Sequence, residues 1–556
     1  MKVSEVCFTA LNSKFIHSSL SALNLSKMCE VYSEKFSLPR ININVNERTI
    51  NESFDSVMYS VLKSKADVYA FSVYIWNVQT VLKVCRQLKK AFPDSVIVLG
   101  GPEISYDIEH TGFNDGDYDY VICSEGERAF FALLCELNGF GIPPEWNYVT
   151  DGKKRSCDYI EDLSEIVFPY NKENIGEFSD RIIYYEASRG CPFSCAYCLS
   201  SVCGKVRTLS FQRVKSDIDF FMDENVSQVK FVDRTFNCNK KRAVEIWKYI
   251  IENADKCNTN FHFEIGADLL DDEELSLLSK ARPGLIQLEL GIQSTNIESL
   301  DECCRKTDMK KLFGNVERLV SFKNINIHVD LIVGLPYEDL ERFKTSFNDT
   351  YYLRANQLQL GFLKLLSGAP LNGILKKHGY VFSDYPPYEI IENNYITYHQ
   401  INELKKFEDV FERYYNSGRF KTTLEKAEKY FRNPFEMFEK LTEFFEKKSL
   451  TFKPVSTKIL YDNLKEFLLN TGENFDKELL TDFYQSERSD IVPSSLKYLA
   501  LNIEKSGELL KNSSQRKNKK AQVKFVGNDA YIIDYSSRNP VDGLYTVAEV
   551  IKNVCL

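Results

Sequence analysis

Apolar and polar positions alternate along the first 140 residues in a way that predicts strands and helices in turn. Val3 to Thr9, Ile41 to Val45, Val68 to Val73, Val96 to Leu99 and Tyr120 to Cys123 are short β-branched or aromatic runs. Between them, His17 to Glu34, Phe54 to Lys63, Val78 to Phe92 and Gly126 to Leu137 carry apolar residues at helical spacing. Strands that are apolar throughout, separated by amphipathic helices, predict an open, doubly wound parallel sheet covered on both faces. From Asn138 to Asp180 glycine, proline and aspartate interrupt the pattern, which reads as a linker over about 141–180.

The alternation resumes over about 181–370. Strands are expected at Ile182 to Tyr185, Gln228 to Val232, Asn260 to Glu264, Leu285 to Leu290, Ile325 to Val333 and Gln357 to Phe362, with a helix between each pair. After Gly368-Ala-Pro370 the composition shifts to Lys, Glu, Phe and Tyr. Ile390 to Tyr415, Leu424 to Phe445, Val455 to Leu469, Lys477 to Ser486 and Leu496 to Lys511 have helical periodicity, so 371–556 is read as a mostly helical domain. Phe407, Phe411, Tyr414, Phe431, Phe435 and Phe438 recur on that period as a core stripe. Gln522 to Val526 and Ala530 to Tyr535 flank Gly527-Asn-Asp529, a hairpin signal, and a short last helix is expected after Pro540.

The composition narrows the class. A chain of 556 residues is too long for one ordinary core, and 44% hydrophobic with 27% charged residues is that of a folded soluble protein. The net charge of −9 argues against a nucleic-acid scaffold. No charged segment followed by a cleavable apolar stretch opens the sequence, so no export signal is expected. No run of about 18 apolar residues predicts a spanning helix. Fifteen scattered cysteines then fit a reducing cytoplasm.

Three of those cysteines stand apart. Cys191-Pro-Phe-Ser-Cys195-Ala-Tyr-Cys198 is a CxxxCxxC on the loop that leaves the strand Ile182 to Tyr185, at the end of a strand where α/β folds build sites. Three thiolates suit an iron-sulfur cluster with one open position. Buried free thiols, or a zinc site whose fourth ligand lies elsewhere, are the alternatives that spacing leaves open.

CxxxCxxC with an aromatic residue before the last cysteine resembles the signature of the radical S-adenosylmethionine superfamily. The resemblance implies a central partial (β/α)6 barrel. It also implies a [4Fe-4S] cluster held by Cys191, Cys195 and Cys198, whose unique iron chelates S-adenosyl-L-methionine. Leu99-Gly-Gly-Pro102 and Ser124-Glu-Gly-Glu127 upstream make the whole similar to the cobalamin-binding members of that family. The closing Tyr531 to Pro540 looks like the end of a cobalamin-type group of unassigned role. On this resemblance Ser72, Gly100, Gly101 and Glu125 border the cobalamin. Asp233, Asn237, Glu264, Gln293 and Leu335 face S-adenosylmethionine, and Arg305 suits a carboxylate partner. The Asp-x-His-x-x-Gly cobalt-ligand pattern is absent. His17 has no such surround, which sets packing in the first βα turn against a role as cobalt ligand.

The activity so implied is methyl transfer to an unactivated carbon or phosphorus centre through a 5′-deoxyadenosyl radical, in an anaerobic, cytoplasmic enzyme. It would act on a small molecule or peptide and draw on a one-electron reductant such as flavodoxin or ferredoxin. Radical cyclisation or rearrangement, and a cobalamin and cluster sensor without turnover, are the competing readings. Transfer-RNA methylthiolation lacks the extra cysteine triad it needs in the amino-terminal domain.

Overall fold

The computed structural model describes residues 2–499 and 506–554 and divides into two compact units. One comprises residues 1–266, 301–306 and 363–391; the other comprises 267–300, 307–362 and 392–556.

The first unit opens with β1 (Glu5–Asn12), α1 (Leu20–Lys35), β2 (Asn42–Thr49), α2 (Phe54–Lys63), β3 (Val68–Ser72), α3 (Val78–Ala91), β4 (Val96–Gly100), α4 (Pro102–Ser105), β5 (Tyr120–Ile122) and α5 (Gly126–Asn138). The sheet order is β2-β1-β3-β4-β5-β7-β6, where β6 (Val149–Asp151) and β7 (Lys154–Ser156) form an antiparallel pair and β7 runs parallel to β5. The segment read as a linker therefore contributes two strands to this sheet. Lys154-Arg-Ser156 is too short and polar to show a strand period, but Arg155 pairs with Glu136 on α5. β3 is buried at every position, as expected of a strand covered on both faces. Ser19 and Ser53 cap α1 and α2 through their hydroxyls, which ends each preceding loop at a fixed residue. Ser72 pairs with Gly100, and Gly100 with Ile122, so the carboxyl ends of β3, β4 and β5 lie side by side.

The same unit continues with β8 (Ile182–Tyr185), β9 (Ser188–Arg189), β10 (Arg207–Thr208), α6 (Phe211–Asp223), β11 (Gln228–Phe231), α7 (Lys240–Asn253) and β12 (Asn260–Ile265). β8 is parallel to β11 and β11 to β12.

The second unit holds α8 (Asp272–Leu278), β13 (Ile286–Gln293), α9 (Ile297–Glu302, shared at its end with the first unit), α10 (Met309–Phe322), β14 (Asn326–Val333), α11 (Leu340–Tyr351) and β15 (Gln357–Phe362). β13, β14 and β15 are parallel neighbours. Six parallel strands are thus present, as expected from the sequence: β8, β11 and β12 in the first unit and β13, β14 and β15 in the second. β16 (Val381–Phe382) and β17 (Ile390–Glu392) make a small two-stranded sheet. Ile390 therefore opens a strand, and the helix expected there begins only at Tyr398, where Thr397 and Gln400 form a capping box.

The helical region consists of α12 (Tyr398–Phe411), α13 (Lys421–Ala427), α14 (Pro434–Lys447), α15 (Thr457–Leu468), α16 (Asp476–Ser486) and α17 (Ser506–Asn512). Phe407, Phe411, Phe435 and Phe438 are buried and pack on one another, Tyr414 is buried against Phe420 and Phe445, and Phe431 of the predicted stripe is only half-buried and stacks on Phe467. Part of the helix expected over Leu496 to Lys511 lies outside the described residues. The chain ends in an antiparallel sheet, β18 (Ala521–Val526), β19 (Asp529–Arg538) and β20 (Tyr545–Ile551). The last element is a strand and not the expected helix: Tyr545-Thr-Val-Ala-Glu-Val-Ile551 alternates half-buried and exposed residues at a period of two.

Candidate active site

The thiol loop is built from the end of β8. Ser188-Arg189 pairs with Arg207-Thr208, and Gly190 then turns at φ +94, where an added Cβ would lie 2.1 Å from the Lys205 carbonyl oxygen. Only glycine fits there. Fully buried Asp233 accepts hydrogen bonds from the Ala187 amide (2.8 Å) and the Ser188 hydroxyl (2.7 Å). Burial raises its carboxyl above the usual range. Between the cysteines, the Ala196 amide donates to the Cys303 carbonyl and its carbonyl accepts from the Leu371 amide. The loop is therefore held at both ends by backbone contacts.

Cys191 and Cys195 are buried and Cys198 is half-buried. Burial pushes the Cys191 thiol up, and the neighbouring Cys198 and Cys195 add to that shift. Arg305 Nη1 lies 3.9 Å from Cys195 Sγ and 3.4 Å from the Tyr197 hydroxyl. Thr235 Oγ1 lies 3.9 Å from Cys191 Sγ.

Two cavities of the first unit adjoin this loop. One, of about 330 Å³, penetrates the amino-terminal sheet and is lined by Phe8, Asn24, Ala70, Val98 and Phe130, and by Ser72, Gly100 and Gly101 at the strand ends. Its walls also include Glu186 and Arg189, which precede Cys191. The other, of about 720 Å³, is lined by Trp76, Gly101, Glu125 and Arg234, and by Leu199 and Ser200 immediately after Cys198. Gly101 borders both at φ +118, and a Cβ there would lie 2.4 Å from the Val73 carbonyl oxygen.

Sequence reasoning missed the charged network that joins these parts. Arg189 reaches Glu186 (2.8 Å), Glu127 (2.5 Å) and Glu125 (3.5 Å), while Arg207 also binds Glu125. Burial raises the Glu186 carboxyl to about 7, against the pull of Arg189. Burial opposes ionisation of Glu125 too, but Arg207 and Arg189 hold it below the usual range. Ser124 to Glu127 and Ser188 to Gly190 are both visible in the sequence, yet nothing in either predicts their pairing 62 residues apart.

The remaining expected site residues fall differently. Asn237 is buried and exchanges two 2.9 Å hydrogen bonds with the Gly266 backbone, so its amide clamps the end of β12. Glu264 faces Arg234 at 3.3 Å. Gln293 and Leu335 belong to the second unit: Gln293 has φ +71 beside a register shift, and the Leu335 side chain is fully buried. His17 lines neither cavity. Its Nδ1 meets the Tyr184 hydroxyl at 2.7 Å, and burial lowers its pKa.

The B12 binding domain family matches residues 8–134 and the Radical SAM superfamily residues 185–350. A family described as a protein of unknown function, DUF4080, matches 376–532. The chain is a radical S-adenosylmethionine protein with an amino-terminal B12-binding domain. It is 24% identical over 353 residues to 2-(S-pantetheinyl)-carbapenam-3-carboxylate methyltransferase of Streptantibioticus cattleyicolor, covering 56% of this chain and 49% of that protein. It is 24% identical over 328 residues to the cobalamin-dependent radical SAM methyltransferase TokK of Streptomyces tokunonensis, covering 55% and 48%. The chain thus spans about half the length of these curated relatives. Among solved structures, the cobalamin-dependent S-adenosylmethionine radical enzyme OxsB with aqua-cobalamin and S-adenosylmethionine bound aligns with a TM-score of 0.59 at 14% identity, over 87% of this chain and 80% of that one. The methyltransferase TsrM from Kitasatospora setae aligns at 0.53 and 15% identity, over 68% and 77%. These two share the fold. No helix among the described residues is long and apolar enough to cross a membrane.

Proposed function

We propose that this chain is a cobalamin-dependent radical S-adenosylmethionine methyltransferase acting at an unactivated carbon or phosphorus centre. The observation that carries this reading is the shared wall: the cavity entering the B12-type sheet and the cavity beside it are both lined by residues flanking the thiol loop. Cys191, Cys195 and Cys198 would hold a [4Fe-4S] cluster. Ser72, Gly100 and Gly101 would border the nucleotide end of cobalamin, and the cavity past Gly101 is wide enough for part of a corrin. When bound, the cluster with S-adenosylmethionine supplies one-electron radical chemistry and cobalamin supplies a methyl group.

The chain's own residues position and enclose. Asp233 and Gly190 fix the turn that carries the thiols, and Asn237 fixes the neighbouring strand end. Arg305 places positive charge beside Cys195, where it would offset the negative charge of a bound cluster. The apolar side chains around the sheet cavity exclude water. His17 is engaged by Tyr184, and among the described residues no histidine lines either cavity, so neither would offer an imidazole to a bound cobalamin. A small molecule or peptide as substrate, a flavodoxin- or ferredoxin-type reductant and a cytoplasmic setting complete the proposal.

A second reading keeps the cofactors and performs a cyclisation. It is favoured by 22% identity over 325 residues to the anaerobic magnesium-protoporphyrin IX monomethyl ester cyclase of Rubrivivax gelatinosus. Anaerobically reconstituted protein, reduced in the presence of S-adenosylmethionine, should form 5′-deoxyadenosine, and the Cys195→Ala variant should form none. Absence of the nucleoside from fully loaded protein would refute the radical assignment. A product heavier by one CH2 unit would separate methylation from cyclisation.

A further inference from the structure

β13 and β14 of the second unit run in register with Glu289 opposite His328 and Gly291 opposite Asp330. Burial alternates along both strands. Leu288, Leu290 and Ile292, and Ile327, Val329 and Leu331, are buried on one face, so Glu289, His328 and Asp330 share the other by the period of two. One ligand atom from each of the three lies within 4.8 Å of the others. His328 Nε2 and Asp330 Oδ1 are 3.2 Å apart, with both side chains mostly covered, at 15% and 21% exposure.

We propose that Glu289, His328 and Asp330 form a binding site for a divalent cation. Neighbouring ligands at about 2.1 Å from an octahedral ion lie about 3.0 Å from each other, and the His328–Asp330 separation is already close to this. One imidazole and two carboxylates suit Mn2+, Fe2+ or Zn2+ better than Cu+, which prefers thiolates. The hydrogen bond between His328 and Asp330 is the arrangement without the ion. Binding moves the proton from Nε2 to Nδ1 or to solvent, which makes affinity fall at acid pH. Three protein ligands leave coordination positions open. The next residue of β13 on the same face, Gly291, adds no side chain beside them. None of this depends on the methyl-transfer reading.

The test is Mn2+ binding to cofactor-loaded protein, freed of loosely held metal by a chelator wash that leaves the cluster absorbance intact. Electron paramagnetic resonance should report one tightly bound Mn2+ per chain, with hyperfine coupling to one imidazole nitrogen. His328→Ala should abolish that coupling. Both His328→Ala and the conservative Glu289→Gln should weaken Mn2+ binding at least tenfold, with cluster content unchanged as the control for folding. No bound Mn2+, bound Mn2+ without nitrogen coupling, or equal affinity in wild type and Glu289→Gln would overturn the assignment. Displacement of the Mn2+ signal by simple ammonium compounds at millimolar concentration would mark the cluster instead as a seat for a substrate amine.

Discussion

Arg189 is the cation on which the path between the sheet cavity and the thiol loop depends. The Arg189→Met substitution keeps much of the side-chain length and removes the charge. Its guanidinium is 14% exposed and faces Glu127 at 6%, Glu125 at 14% and Glu186 at 20% exposure. Removing one partner of a buried pair costs about 3–5 kcal/mol, because the remaining charge is left uncompensated. Arg207 still answers Glu125, which places the expected loss at the lower end, about 3 kcal/mol.

The sign of the pH dependence follows from Glu186. Its carboxyl is raised from 4.5 to about 7, so the native state keeps a proton that the unfolded chain releases. Stability therefore falls as pH rises from about 4.5 to about 7 and levels off above. Loss of Arg189 raises this carboxyl further and extends the fall upward. The Arg189→Met deficit should thus be larger at pH 8 than at pH 6, and Glu127→Gln added to it should restore part of the loss. Denaturant midpoints followed by tryptophan fluorescence at both pH values give the comparison. A deficit below about 1 kcal/mol, the worth of an exposed pair, or one equal at pH 6 and pH 8, would refute this account of the network.

Gly101→Ala should destabilise the chain by about 2 kcal/mol or more, since its φ of +118 is strained for any other residue and its Cβ would meet the Val73 backbone. It should also weaken cobalamin uptake, read by absorbance titration. Asn237→Ala should cost about 2 kcal/mol by removing two buried backbone hydrogen bonds. It should lower S-adenosylmethionine affinity only through movement of Gly266; equilibrium dialysis beside a thermal melt separates the two effects. Co(II)-cobalamin bound to the protein should show no nitrogen splitting below the metal, and His17→Ala should leave its spectrum unchanged.

The parts of this molecule legible in the sequence are those set by local pattern. Val68 to Ser72 could be only a buried strand, and the aromatic stripe from Phe407 to Phe438 could be only a core. Cys191, Cys195 and Cys198 stand out by spacing, and Gly100-Gly101 by its place after a strand. What stayed hidden was long-range. Arg155 drew a strand out of an apparent linker by pairing with Glu136. Tyr545 to Ile551 became a strand because β19 offered it an edge. Asp233 and Asn237 bond the backbones of Ala187 and Gly266, contacts that their places in the sequence do not show. Glu289, His328 and Asp330 stand 39 and 41 residues apart, and only the parallel register of β13 and β14 brings them together.

The central claim is that cobalamin and the cluster occupy adjoining spaces in the first unit. Electron paramagnetic resonance of protein loaded with both and reduced to Co(II) and to the paramagnetic cluster tests it most directly. Adjacent sites predict a Co(II) signal broadened and relaxed by the cluster, with the unperturbed signal returning in Cys195→Ala. A spectrum equal to the sum of the two separately loaded signals would contradict it.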